Sequence, residues 1–146
     1  MQWRLAATAD LDLLARWNRQ LQQDEGSVAL SETEARERLQ RWLQSAYQAV
    51  VFSEAGADVG YALYRDTDAD AQGEGGIYLR QFFVARDARR AGYGTRIMEL
   101  FLKEVIPGRW VLLEALQSNP GGQAFWRSLG FEAAYTGFRL SRGGPS

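Results

Sequence analysis

Four arginines, Arg86, Arg89, Arg90 and Arg96, surround the run Ala91-Gly92-Tyr93-Gly94-Thr95, and this is the segment whose residue types could do chemistry. Guanidinium groups beside flexible backbone make an anion cradle. Glycine lets the chain turn and lets a phosphate approach the main chain closely, while unpaired amides and the positive dipole end of a following helix favour its oxygens. The same residues also read as a solvated charged loop around a tight turn. Two familiar phosphate motifs are excluded: no Gly-Lys-Ser/Thr follows as in a P-loop, and the run through Gly94-Thr95-Arg96-Ile97 lacks the third glycine of a dinucleotide fingerprint.

The cradle needs a strand before it and a helix after it, and the flanking sequence offers both. Residues 77–84 (Ile-Tyr-Leu-Arg-Gln-Phe-Phe-Val) are the strongest strand candidate, and Ile97, Leu100, Phe101 and Val105 give the following helix one apolar face, ended by Pro107-Gly108. Residues 110–116 predict another strand. Asn119-Pro120 predicts a capped helix with proline at its first position, closed by Gly130. Upstream, residues 2–6 suit a first strand, Leu14, Trp17 and Leu21 mark a helix, and Ser31 with Glu34 is a capping-box signal for a second helix with Ala35, Leu39, Trp42, Leu43 and Ala46 inward. Residues 47–53 and 59–65 predict an antiparallel hairpin, and residues 131–140 a final strand or bent hairpin. The aperiodic stretch 66–76 reads as a solvated loop without the ligand order of a calcium site. The expected architecture is α/β of the α+β type, with a mixed sheet covered by helices.

Length and composition narrow the chemistry. At 146 residues the chain suits one domain, taken as 1–140, with residues 141–146 an unanchored, disordered polar tail. Net charge is −1, with 17 basic against 18 acidic side chains, which gives no support to bulk attraction to nucleic acid or to an anionic membrane. No apolar run approaches the roughly 18 residues of a bilayer span, and Met1-Gln2-Trp3-Arg4 reads as the start of a fold and not as a signal peptide, so the expected compartment is the cytoplasm. With no cysteine and no histidine there is no thiol nucleophile, Ser-His-Asp triad or histidine zinc site, and no metal is expected. Chemistry falls to carboxylates, hydroxyls, amines, backbone amides or water.

Arg89-Arg90-Ala91-Gly92-Tyr93-Gly94 resembles the Gln/Arg-x-x-Gly-x-Gly/Ala motif of the GNAT superfamily of N-acetyltransferases, set between a strand and a helix. Phe82-Phe83-Val84-Ala85-Arg86 resembles that family's preceding strand. Asn119, followed by Ala124-Phe125-Trp126-Arg127-Ser128-Leu129-Gly130-Phe131, resembles its later motif, so the likeness covers residues 77–131. It implies a mixed, mostly antiparallel central sheet of six to seven strands flanked by about four helices. It also implies acetyl-CoA as co-substrate and a primary amine as acceptor.

On that resemblance, amides from Arg90, Ala91, Gly92, Tyr93, Gly94 and Thr95 hold the pyrophosphate of acetyl-CoA, with Arg86, Arg89 or Arg90 adding charge. Backbone groups of Phe83 and Val84 pair with the pantetheine arm, which requires a splay from the strand at 110–116 and a bulge near Gln81 to Phe83. Asn119 and Trp126 complete the cofactor side. Without cysteine, the acceptor amine attacks the thioester directly in a ternary complex, and the amide of Val84 serves the oxyanion. Many members carry a tyrosine acid where Trp126 stands, and tryptophan cannot serve so. Glu114, Asp24, Glu25 or a water relay are the candidates for the base. Asp24 and Glu25 could instead bind a cationic acceptor or be solvated loop charges, and Arg80 and Gln81 sit at the expected mouth, where either could face an acceptor carboxylate or Arg80 could simply pair with an Asp or Glu.

Two readings of other classes compete. One is an acyl-CoA-binding sensor without turnover, suggested by the missing tyrosine. The other is a nucleic-acid module using residues 86–96 with Tyr93 as a stacking ring, which the net charge disfavours. The acceptor, small molecule or peptide, stays open, as does a homodimer.

Overall fold

The computed structural model describes residues 1–67, 75–117 and 119–143, apart from the side chains of Arg90 and Ala91. Residues 68–74 of the expected loop and 144–146 of the expected tail lie outside the described residues.

Strands β1 (Gln2–Leu5), β2 (Tyr47–Glu54), β3 (Ala57–Thr67), β4 (Gly76–Val84) and β5 (Trp110–Leu112) form one sheet in the order β1-β2-β3-β4-β5. The first three pairings are antiparallel, and β4 to β5 is parallel. The hairpin between β2 and β3 is tighter than its sequence suggested. Ala55 and Gly56 both take positive φ, 51° and 82°, which matches the right-handed twist of the flanking strands.

Helices α1 (Leu11–Asp24), α2 (Glu32–Leu43), α3 (Tyr93–Leu100) and α4 (Pro120–Ser128) cover the sheet. The capping box forms as expected: the Ser31 hydroxyl accepts from the Glu34 amide at 3.1 Å, and the Glu34 carboxylate accepts from the Ser31 amide at 3.2 Å. On the α1 face, Trp17 stacks on Tyr61 and packs against Phe83. On the opposite face, Phe101, in the π-helical turn that prolongs α3, meets Phe52 and Tyr64 edge-on. Phe82 stacks on Phe125 of α4.

The mixed α/β class agrees with expectation, but among the described residues the sheet has five strands, not six or seven. Residues 113–116 and 131–140 are not strands. β5 follows β4 for only three residue pairs before the two diverge, and Tyr135, Phe138 and Leu140 are exposed. Alternating apolar residues mark a face, but a strand also needs a partner edge, and residues 131–140 have none here.

Candidate active site

The site lies where β4 and β5 part. Pairing stops at Tyr78 with Leu112, while β4 continues to Val84. The Ala85 amide donates to the Val59 carbonyl at 2.8 Å, so strand alternation turns the backbone groups of Phe83 toward β3 and those of Phe82 and Val84 toward the open edge. The Val84 amide therefore points away from β3, into the gap left by β5. The open-edge pair is Phe82 and Val84, whereas Phe83 contributes a buried ring.

The bulge falls one residue earlier than expected. Leu63 pairs with Gln81 and Tyr64 with Leu79, leaving Arg80 as the extra residue. An extra residue breaks the alternation, and Arg80 and Gln81 both reach the α1/α2 face. Arg80 donates to the Tyr47 hydroxyl at 3.2 Å, and Gln81 accepts from the Tyr61 hydroxyl at 2.9 Å. Burial pushes the Tyr61 phenol well above its ordinary range, offset in part by Asn18 and Arg38, so it stays a donor. The Gln81 carboxamide is thereby fixed with its NH₂ free of Tyr61.

Beyond Val84, a 3-10 segment, Arg86–Ala91, leads to Gly92 at φ 72°, ψ 19° and then to α3. No side chain caps α3, and the amides of Tyr93, Gly94 and Thr95 in its first turn have no partner within the helix. Gly94 is small for a different reason. A Cβ there would lie 3.3 Å from the Phe125 ring, so the glycine lets α3 approach α4. Asn119 caps α4, its side chain accepting from the Gly122 amide at 3.1 Å. Trp126 packs edge-on against Phe82, Phe125 and Phe131.

These parts line one cleft of about 750 Å³, with Phe83, Val84, Arg89, Gly92, Gly94, Thr95, Asn119 and Trp126 beside Asp24, Glu25, Arg80, Gln81 and Glu114. The arginines divide. Arg89 donates to the Val84 carbonyl at 2.9 Å and pairs with Asp24 at 2.6 Å, Arg86 pairs with the same carboxylate at 3.3 Å, and Arg96 pairs with Glu54 at 2.6 Å. Arg90 and Ala91 are placed by their backbone alone, and Tyr93 lies under the Arg96 guanidinium.

The three carboxylates differ as sharply. Asp24 is engaged by two guanidinium groups, and Glu114 is exposed beyond the end of β5. Glu25 is half-buried, and its carboxyl has no hydrogen-bond or ion-pair partner among the described residues. Burial first, and then the charge of Asp24, hold its carboxyl above the ordinary glutamate value.

Sequence reasoning missed the Phe82 backbone, the Gly121-Gly122 pair lining the cleft, and the polar group formed by Asn18, Arg38 and Tyr61. Asn18 carried a signal, since it stands four residues after Leu14 within the buried stripe of α1. Among the described residues no group of three or more His, Cys, Asp or Glu could hold a metal, and no helix is long and apolar enough to cross a membrane.

The model of the Acetyltransferase (GNAT) family matches residues 14–131. No curated protein matches the chain. A structure of a possible acetyltransferase from Clostridium difficile superposes with TM-score 0.81 at 17% identity, covering 98% of each chain. An aminoglycoside 6′-N-acetyltransferase from Acinetobacter haemolyticus gives 0.73 at 17% identity, over 98% of this chain and 99% of that one. A ribosomal-protein-alanine N-acetyltransferase from Brucella melitensis gives 0.74 at 16% identity, over 97% and 100%. At such identities the likeness is one of fold. The family match spans most of the chain, cradle and cleft included, and the protein belongs to the GNAT family of acetyltransferases.

Proposed function

We propose that the protein transfers an acetyl group from acetyl-CoA to a primary amine by direct attack in a ternary complex, in the cytoplasm. The observation that carries the reading is the continuity of one cleft from the uncapped first turn of α3, along the open edge of β4, to the unpaired carboxylate of Glu25. The residues suit the co-substrate: the left-handed turn at Gly92 and the amides of Tyr93, Gly94 and Thr95 fit a diphosphate, and the backbone N–H and C=O of Phe82 and the N–H of Val84, whose carbonyl is held by Arg89, face an amide-bearing arm. When bound, acetyl-CoA supplies an activated acyl group with a thiolate as leaving group.

The chain supplies position and proton handling. Val84 N–H is aimed to hold the oxygen that becomes negative as the amine nitrogen bonds to the acyl carbon. Glu25 takes the proton lost by the nitrogen, directly or through a water, and its raised pKa brings it closer to the working pH. Asp24 serves the arginines and Glu114 stands farther out in solvent, so Glu25 is the base we assign. Trp126 cannot protonate the departing thiolate. It packs in the aromatic wall beside Phe82 and Phe125, and the thiolate leaves unassisted.

The test is release of free thiol from acetyl-CoA in the presence of pooled amines of each class. Amine-dependent release supports the reading. Tight binding of acetyl-CoA without release for any amine supports a sensor instead, and nucleic-acid binding unaffected by coenzyme A would return the Arg86 to Arg96 segment to the rival module.

A further inference from the structure

Arg80, which lines the cleft, also belongs to a cluster of cations that the transfer reaction does not use. The Arg38 and Arg80 guanidinium carbons lie 4.6 and 4.7 Å from the centre of the same indole, Trp42. Arg65 lies 5.0 Å from the Tyr78 ring and 6.0 Å from that of Tyr47, the ring whose hydroxyl accepts from Arg80. Arg41 adds a fourth charge near Arg38.

None of these four arginines is in an ion pair among the described residues, a state shared by scattered arginines such as Arg16 and Arg127 but here gathered around one set of rings. Stacking on aromatic rings occupies the faces of the guanidinium groups and leaves their N–H edges for an acceptor. One buried donor beside the cluster, Nε of Arg38, has no acceptor among the described residues, while another nitrogen of the same guanidinium donates to Oδ1 of Asn18 at 3.0 Å. Buried donors left unpaired are costly, and like charges gathered without a counterion repel. Burial, and then the charge of Arg80, lower the Arg38 pKa, the sign expected of a cation short of anionic company.

Charges of both signs act on Tyr61. The phenol is acted on by the positive charge of Arg38 and the negative charge of Glu25, so the two lie within electrostatic reach of one hydroxyl. That hydroxyl fixes Gln81, which lines the cleft together with Arg80 and Glu25. A molecule presenting its amine at Glu25 would thus present its other end to the arginines.

We propose that Arg38, Arg80 and Trp42 form an anion subsite for the acceptor, whose class is therefore an amine that also carries a carboxylate, such as an amino acid or the end of a peptide. This rests on the transferase reading and names the substrate class of the same site. The bulge at Arg80 is what brings this arginine to the same face as Gln81, so the specificity element is encoded in the backbone of β4.

The test compares thiol release for matched pairs of amines: β-alanine with β-alaninamide, 4-aminobutyrate with its amide, L-alanine and L-glutamate with their α-amides, and L-alanyl-L-alanine with its amide, with spermidine as a polycation. A neighbouring carboxylate keeps more of the amine protonated, so intrinsic reactivity favours the amide and runs against the expected result. The carboxylate member of at least one pair should have a kcat/KM higher by about tenfold or more, the value of one charge-assisted hydrogen bond. Arg80→Gln should collapse that ratio toward one with acetyl-CoA affinity within twofold of wild type. Arg38→Gln should do the same, and Arg38→Lys, which keeps the charge in a half-buried place, should restore part of the ratio if the glutamine variant folds poorly. Amides or spermidine turned over as well as the carboxylates, release from none of the pairs, or a ratio unchanged in Arg80→Gln would overturn the subsite. If acetyl-CoA itself does not bind, the transferase reading has failed. If it binds and only cationic amines are acetylated, that reading stands and the subsite alone falls.

Discussion

Gly92→Ala separates the backbone conformation of the cradle from its packing. Gly92 holds φ 72°, and a Cβ built there meets no atom within 4 Å, so alanine is opposed only by the left-handed conformation. That conformation costs an L-residue about 1–2 kcal/mol. The energy must appear in one of two places. If the variant keeps the turn, the folded state carries the strain, and urea unfolding loses about 1–2 kcal/mol with acetyl-CoA affinity unchanged. If the turn relaxes, stability is kept, but binding must restore the geometry, and the dissociation constant rises about 5- to 30-fold. The stability loss measured by denaturation and the binding loss measured by calorimetry should therefore sum to about 1–2 kcal/mol. Gly92→Asn, a residue that tolerates this region, should return most of it. An alanine variant with wild-type stability and wild-type affinity would refute the claim that a left-handed turn at Gly92 shapes the cradle.

Three further outcomes are expected. Glu25→Gln should lower kcat by about 100-fold or more and remove the acid limb of the pH profile, which in the wild type lies above the ordinary glutamate value of 4.5; because a raised folded-state pKa withdraws stability as pH rises through it, the variant should also melt higher than wild type at pH 7.5 and equally at pH 4. Asp24→Asn frees Arg86 and Arg89, and should tighten acetyl-CoA binding and steepen its salt dependence, as read by titration at two ionic strengths; weaker binding would assign those arginines to holding the end of β4. Ser31→Ala deletes the cap of α2 and should cost about 1 kcal/mol, or about 2–4 °C in thermal melting, without changing acetyl-CoA affinity.

Local signals in the sequence carried far. The Ser31 and Glu34 box, Asn119 with Pro120, and the Gly92 turn each mark a boundary through groups within a few residues of one another, and each forms. What depended on a distant partner was less legible. Residues 113–116 continue the largely apolar run of the strand before them, but β4 veers from β5 after Tyr78, and neither segment's sequence encodes that divergence. The cradle arginines were visible as charges, yet the sequence does not say that Asp24, more than sixty residues earlier, claims two of them. Likewise the bulge could be expected near Gln81, but only pairing with β3 puts it at Arg80 and so brings Arg80 to the Trp42 ring.

The central claim is that backbone amides around Gly92 hold a diphosphate while the free edge of β4 holds the arm that bears the thioester. A crystal structure with coenzyme A measures this directly. The account predicts diphosphate oxygens at about 3 Å from the amides of Tyr93, Gly94 or Thr95, and the arm paired with the backbone of Phe82 and Val84. Coenzyme A bound elsewhere, or those amides turned to acceptors within the protein, would contradict it.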